Sequence, residues 1–232
     1  MNNQKLTLSP SLIFQIAVVI IAIPLLPLLI SWRWDWWEAW VNAVVFVLVF
    51  IISRWLAYRR HPDLLAERVA SLQKEDAKSW DKVLGPIVGL GSGLILAIVG
   101  LDALFHWSTP FSLPLKILAL FVILGGYAFS TYAIVENRFF SGLVRIQTDR
   151  GHHVISTGPY RWVRHPGYAG VIPTYFAMPI LLDASWAFIP AVFVTVVLIV
   201  RTALEDKTLH EELPGYAEYA QKVRYRLLPG VW

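Results

Sequence analysis

The sequence predicts an all-α, polytopic integral membrane protein with about six transmembrane helices. Three observations carry that prediction. Of the 232 residues, 56% are hydrophobic and only 16% are charged, well below the ~25% of an ordinary soluble domain. The apolar residues gather in six runs, most of them close to the ~20 residues that cross a bilayer. The Lys and Arg residues lie almost entirely in alternate connections between those runs, as the positive-inside rule requires. The same composition excludes a disordered chain. The absence of Cys excludes disulfides, thiolate metal sites and a Cys nucleophile. A net charge of +4 reads as loops facing anionic lipid rather than as a nucleic-acid surface.

The first run, residues 12–30, is apolar apart from Gln15, with Pro24 and Pro27 as expected kinks. Its length, without an A-x-A site, predicts a retained helix rather than a cleaved signal peptide. The second run, 36–52, carries Glu38 and Asn42 near its start. The third, 83–105, holds Gly85, Gly89, Gly91, Gly93 and Gly100, which suit close helix approach. The fourth, 113–135, is interrupted only by Lys116. Residues 166–182 and 186–204 form a shorter pair around Asp183, read as a helical hairpin whose arms are short for ~30 Å of hydrocarbon.

Residues 54–82 hold seven Lys/Arg, residues 138–164 five, and residues 201–226 another five; Arg33 and Lys116 fall on the other side. Six crossings with both termini cytoplasmic satisfy this distribution. The cluster Trp32, Trp34, Trp36, Trp37 and Trp40 then anchors the outer interface. Three cytoplasmic segments follow. Residues 62–82 place Leu64, Leu65, Val69 and Leu72 at helical spacing among charges, which fits an interfacial amphipathic helix. Residues 139–164 are polar, with turn signals at Gly142, Gly151 and Gly158-Pro159. The tail begins helical, breaks at Pro214-Gly215 and resumes over 216–223.

No Walker loop, HExxH, GxSxG or strand-borne GxGxxG is present. The loop before the hairpin is chemically rich instead. Residues 151–170 hold three His, two Arg and two Tyr. Pro166 suits the first turn of a helix, whose free N–H groups favour a carboxylate, and Arg164 beside them can grip an anion bidentately. Contact with lipid headgroups is the plainer reading of those cations. His152-His153 lacks the companions of a metal site, so no metal is expected. A second polar cluster opens the tail, where Arg201 and Glu205 share a helix face. Glu136, Asn137 and Arg138 end the fourth run as ordinary helix-end residues.

Together these clusters resemble the isoprenylcysteine carboxyl methyltransferase family and, more distantly, the phosphatidylethanolamine N-methyltransferases. The resemblance is carried by His152, Val154, Ile155, Gly158, Pro159, Tyr160, Arg164, His165, Pro166, Tyr168 and Gly170, followed by the pair Glu205-Asp206. A tail with Tyr216, Tyr219 and Pro229, and the upstream run from Asn137 to Ser141, extend it. It covers residues 113 onward, about half the chain. Many relatives carry two glutamates where this chain has Glu205-Asp206, so only Glu205 is transferred.

The resemblance implies two parts. Residues 1–112 form N-terminal transmembrane helices with the amphipathic segment 62–82. Residues 113–232 form a methyltransferase core of cofactor loop 139–165, hairpin 166–204 and tail. It also implies S-adenosylmethionine as cofactor, held by His152, Val154, Gly158, Pro159, Tyr160, His165, Tyr168 and Glu205. Arg164 and Glu205 become the catalytic pair at the junction with the acceptor. That acceptor is expected to be lipophilic or small, bearing a carboxylate, amine or thiol. An amine or thiol makes His152 or Glu205 a base candidate. The expected location is a bacterial cytoplasmic membrane. Membrane sterol reductases share an Arg-His-Pro-x-Tyr-like loop, so an NADPH-dependent reductase is the competing expectation; a non-enzymatic scaffold is the third.

Overall fold

The computed structural model describes residues 18–70 and 76–232. Among the described residues the secondary structure is helical, without strands. A π-helical turn, Val18–Ala22, leads into α1 (Ile23–Ser31). Then come α2 (Trp37–Arg60), α3 (Pro62–Ala70), α4 (Asp81–Phe105), α5 (Leu113–Glu136), α6 (Pro166–Leu181), α7 (Phe188–Glu212) and α8 (Tyr216–Lys222). Helices α2, α4, α5 and α7 are long and apolar enough to cross a membrane, whereas α1 with its π-turn is a shorter apolar helix. The chain is thus a polytopic membrane protein. Part of the first expected run, 12–17 with Gln15, lies outside the described residues. So do Lys5, Leu72 and Lys74.

The hairpin forms around Asp183, but its arms are unequal. At 16 residues, α6 measures ~24 Å, short of the hydrocarbon thickness. By contrast α7 has 25 residues and runs on to Glu212, well past the expected end at 204. Nothing in Glu205–Glu212 opposes a helix, and α7 stops only where Leu213 turns extended ahead of Pro214. Helix α2 likewise outruns its apolar stretch and ends at Arg60, with His61 non-helical before Pro62.

The core lies between α1, α4, α5, α6 and α7, around Leu28, Leu96, Ile123, Met178 and Leu198. Its tightest seam joins α5 to α6. A Cβ added at Gly126 would strike the carbonyl oxygen of Gly170, and one at Gly170 would stand 2.6 Å from that of Gly126. The two backbones touch with no side chain between them. In α4, Gly91 faces Val194 and Gly100 faces Ile30, as close packing requires, while Gly89 meets no neighbour within 4 Å. Trp32, Trp34, Trp37 and Trp40 are exposed as an interfacial belt, but Trp36 is not an anchor. It is 4% exposed and packs in the core, because the turn before α2 points it inward.

The two ends of the bundle are clasped by ions. At one end, buried Lys116 reaches Glu38 at 2.6 Å and Asp183 at 2.5 Å. Asp183 also accepts the Phe111 N–H at 2.7 Å. Next to it, Asp102 accepts from the Ser108 hydroxyl and the Trp186 N–H. At the other end α3 seats Leu64 against Ala57 and Ile134. The Arg145 side chain, 1% exposed, joins Glu67, Asp76 and Asp149 at 2.8–2.9 Å. The amphipathic segment is therefore bonded to the polar loop.

Candidate functional site

A pocket opens at this second end, between the polar loop, the start of α6, the last turns of α7, and α8. Its empty space is about 780 Å³ with the open solvent at its mouth included. Seven expected site residues line it: His152, Val154, Tyr160, Arg164, His165, Tyr168 and Glu205. Gly158 and Pro159 do not. They form a short 3-10 turn, Gly158–Arg161, that carries Tyr160. Gly158 has φ +56°, and an added Cβ there would meet the Glu136 side chain at 2.9 Å. A side chain at this position is opposed by both backbone and space.

His152 is held on two sides. Its Nδ1 accepts the Gln147 N–H at 3.2 Å, and its ring lies 4.4 Å from that of Phe139. Burial, with the positive charge of His153, Arg145 and Arg150, pulls its pKa down to about 4. The ring is neutral near pH 7, with its proton on Nε2. The Tyr160 hydroxyl accepts from the Asn137 amide at 3.1 Å, and the Tyr160 carbonyl accepts from the Tyr219 hydroxyl at 2.7 Å. Burial pushes the Tyr160 phenol well up, so it stays protonated. Asn137, expected as an ordinary helix-end residue, thus fixes a pocket residue.

Arg164 does grip an anion bidentately, and that anion is the chain's own Asp206. Nε and Nη2 donate to the two Asp206 oxygens at 2.8 and 2.9 Å. Nη1 donates to the carbonyls of Val223 and Arg224 at 2.9 and 2.6 Å. The backbone N–H groups of Arg164 and His165 donate to Tyr225 and Arg226. Asp206 is 1% exposed and also receives His165 Nε2 at 3.2 Å, the Tyr216 hydroxyl at 2.8 Å and Arg226 Nε at 2.8 Å. It is the hub that ties loop, α7, α8 and tail together.

Glu205, its neighbour, faces differently. One residue along a helix turns the side chain by ~100°, which puts Glu205 on the pocket wall. Its Oε2 accepts the Tyr168 hydroxyl at 2.7 Å. That hydroxyl accepts Arg201 Nη1 at 2.9 Å. Arg201 and Glu205 share a face, as their spacing predicts, with the tyrosine hydroxyl between them. Arg201 is clamped by Asp81 of α4, Nε to Oδ1 at 2.6 Å and Nη2 to Oδ2 at 2.9 Å. Asp81 is fully buried and also accepts the Val144 N–H at 2.6 Å. Sequence reasoning passed over Asp81. Its one signal was a lone carboxylate at the mouth of an apolar run.

A second, apolar groove runs between α2 and α5, lined by Val49, Ile52, Leu56, Leu124, Ala128, Thr131, Tyr132 and Val135. Its Tyr132 hydroxyl approaches Gly158, so the groove ends beside the turn carrying Tyr160. Among the described residues, no group of three or more His, Cys, Asp or Glu is placed to hold a metal ion.

Residues 117–211 match the model of the Isoprenylcysteine carboxyl methyltransferase (ICMT) family. The chain is similar to Protein-S-isoprenylcysteine O-methyltransferase of Saccharomyces cerevisiae, 30% identical over 122 residues, which are 52% of this chain and 51% of the relative. It is also similar to Delta(14)-sterol reductase TM7SF2 of Mus musculus, 27% identical over 141 residues, 56% of this chain and 34% of the relative. Uncharacterized protein YpbQ of Bacillus subtilis is 39% identical over 62 residues, 26% of this chain and 37% of the relative. The match spans from about a third to about half the length of these relatives. The matched stretch, residues 117–211, carries the pocket loop, Arg164, Glu205 and Asp206, and it is this part of the chain that is similar to the isoprenylcysteine carboxyl methyltransferase family.

Proposed function

We propose that this chain is a membrane methyltransferase that uses S-adenosylmethionine and modifies a lipophilic acceptor arriving from the bilayer. The observation that supports it most is the joining of the His152–Tyr168 loop and Glu205 in one cavity. The residues suit the cofactor. Among the described residues Glu205 is the only Asp or Glu on the pocket wall, and its Oε1 is turned to no partner there. It can receive the ammonium or sulfonium of the cofactor. The faces of Phe139, Tyr168 and Tyr216 and the apolar side chains of Val154, Leu209 and Leu213 offer a surface for adenine. When bound, the cofactor supplies a methyl group on a positively charged sulfur.

The side chains around it do the positioning on which an in-line displacement depends. His152 serves as a donor rather than a base, since Nδ1 is occupied by the Gln147 N–H and Nε2 carries the proton. Arg164 shapes the wall by holding Asp206 and the tail. A carboxylate acceptor needs no base; an amine or thiol must pass its proton to Glu205 or to water. The α2–α5 groove supports a lipophilic acceptor, since it is apolar, lies along two membrane-crossing helices and ends at the Tyr160 turn.

The reductase reading rests on the loop from Arg164 to Tyr168 and on the similarity to the mouse relative. NADPH carries a ribose phosphate that calls for free cations. The three arginines on the pocket wall are already spent on carboxylates: Arg145 on Glu67, Asp76 and Asp149, Arg164 on Asp206, and Arg201 on Asp81. Calorimetry on the purified protein in detergent tests the choice. S-adenosylhomocysteine is expected to bind and NADPH not to; the reverse order moves the chain to the reductase class. We further propose a bacterial cytoplasmic membrane, with the pocket and both termini on the cytoplasmic side and residues 113–232 as the core of the enzyme. Single cysteines test the orientation. One placed at Gly151 is expected to label only from inside and one at Asp183 only from outside.

A further inference from the structure

The family segment begins at residue 117, yet the side chains behind Glu205 lead outside it. A continuous line of hydrogen bonds runs from Asp81 on α4 through Arg201 on α7 and Tyr168 on α6 to Glu205. Each link has a fixed direction. Arg201 can only donate, so Asp81 accepts from it twice and the Tyr168 oxygen accepts from it once. The single Tyr168 proton is then left for Glu205 Oε2. Both Asp81 oxygens are in use, since Oδ2 also receives the Val144 N–H. Arg201 is held further by the Gly142 carbonyl at 3.1 Å. Only at the pocket end does the line stop open, at Glu205 Oε1.

The charges along it follow the same logic. The Asp81 carboxylate and the Arg201 guanidinium cancel in a buried pair, and Tyr168 is neutral. One negative charge remains, on Glu205, and it faces the cavity. Without Arg201 the Tyr168 hydroxyl would be free to rotate. Without Asp81 the Arg201 guanidinium would be free to swing onto Glu205, four residues along the same helix face, and neutralise it.

Resting on the methyltransferase reading, we propose that Asp81 is a positioning residue for the cofactor. By holding Arg201 away from Glu205 and against Tyr168, it keeps the Glu205 carboxylate open toward the cationic end of S-adenosylmethionine. Specificity for a positively charged ligand is thereby set in part by a helix outside the family segment.

A double-mutant cycle tests this, read as the affinity for S-adenosylhomocysteine by calorimetry on the full chain in detergent. Its ammonium is the probe. Asp81→Asn and Tyr168→Phe are each expected to weaken binding about tenfold, and the double variant no more than the weaker single, because both cut one line. A merely structural Asp81 gives independent losses that multiply to about a hundredfold. That result, or wild-type affinity in Asp81→Asn, overturns the proposal. If Asp81→Asn does not fold, Arg201→Lys with Tyr168→Phe is read by the same rule. Wild-type protein that ignores S-adenosylhomocysteine overturns the underlying methyltransferase reading. Wild-type binding with multiplying losses overturns only the role of Asp81. The exposed Lys207→Gln is the control and binds as wild type.

Discussion

The two ends of the bundle hold buried ions in different ways. At the end without the pocket, Lys116 bridges Glu38 and Asp183, and Asp183 spends its second oxygen on the Phe111 N–H. That cluster joins three helix ends, and none of its residues lines the pocket. At the pocket end, adjacent residues of α7 split the two tasks. Asp206 has both oxygens saturated by donors from the loop, α8 and the tail, whereas Glu205 receives one donor and lines the cavity. Burial of charge is common to both ends. What separates Glu205 from the saturated carboxylate beside it is a spare oxygen on the wall of a cavity.

The largest expected effect is that of breaking the saturated hub. Asp206→Asn leaves Arg164 and Arg226 without their counter-charge. Removal of one partner of a buried pair costs about 3–5 kcal/mol, a loss of about 10 °C in melting temperature for a chain of this size. Thermal unfolding in detergent is the check. Lys116→Met strands two carboxylates at the far end and is expected to cost about 2 kcal/mol, since Asp183 is less deeply buried than Asp206. Affinity for S-adenosylhomocysteine should stay within about twofold of wild type. Should Lys116→Met empty the pocket, the two ends are coupled and the contrast fails.

Glu205→Gln reverses the pattern of Asp206→Asn. Melting temperature is expected to hold within a few degrees, while methyl transfer falls by about 30- to 1000-fold, the ~2–4 kcal/mol of a charged transition-state contact. Full activity in this variant removes Glu205 from the reaction. The smallest effect concerns pH. His152 has a folded pKa of about 4 against 6.5 unfolded. Between those values the unfolded chain binds the proton and the folded one does not, so stability falls as pH drops from 6.5 toward 4. His152→Asn should flatten this acid limb in a pH series of melting temperatures. A limb equally steep in the variant assigns it to other groups.

Much of the architecture could be read from the chain because it is local. Apolar runs, Pro166 at a helix start, the break at Pro214-Gly215 and the loop glycines are signals of a few neighbouring residues. Where helices outran the apolar runs, as α2 and α7 do, the apolar pattern marked the membrane and not the helix. The pocket residues could be read because they crowd into twenty positions before the hairpin. The division of labour between Glu205 and Asp206 could not. A helix turns them ~100° apart, so they must face different surroundings, but which one meets the cavity depends on how α7 is rotated against α6. Arg201 and Asp81 are 120 positions apart, and no periodicity announces such a pair. Trp36 shows the same limit, one tryptophan among five that the turn before α2 sends inward.

The buried ion pairs at the pocket end also order events during synthesis. Asp81 is made 145 residues before Arg226 (226 − 81), an interval on the order of ten seconds at typical elongation rates. Through most of that time Asp81 has no Arg201 to meet, and Arg164 has neither Asp206 nor the carbonyls of Val223 and Arg224. The earlier helices can enter the bilayer and pair, but the pocket stays unassembled until α7 is in place and the tail has folded back across the loop. The ligand cavity is therefore the last part of the molecule to exist. A nascent chain halted before residue 206 is a membrane protein without a site.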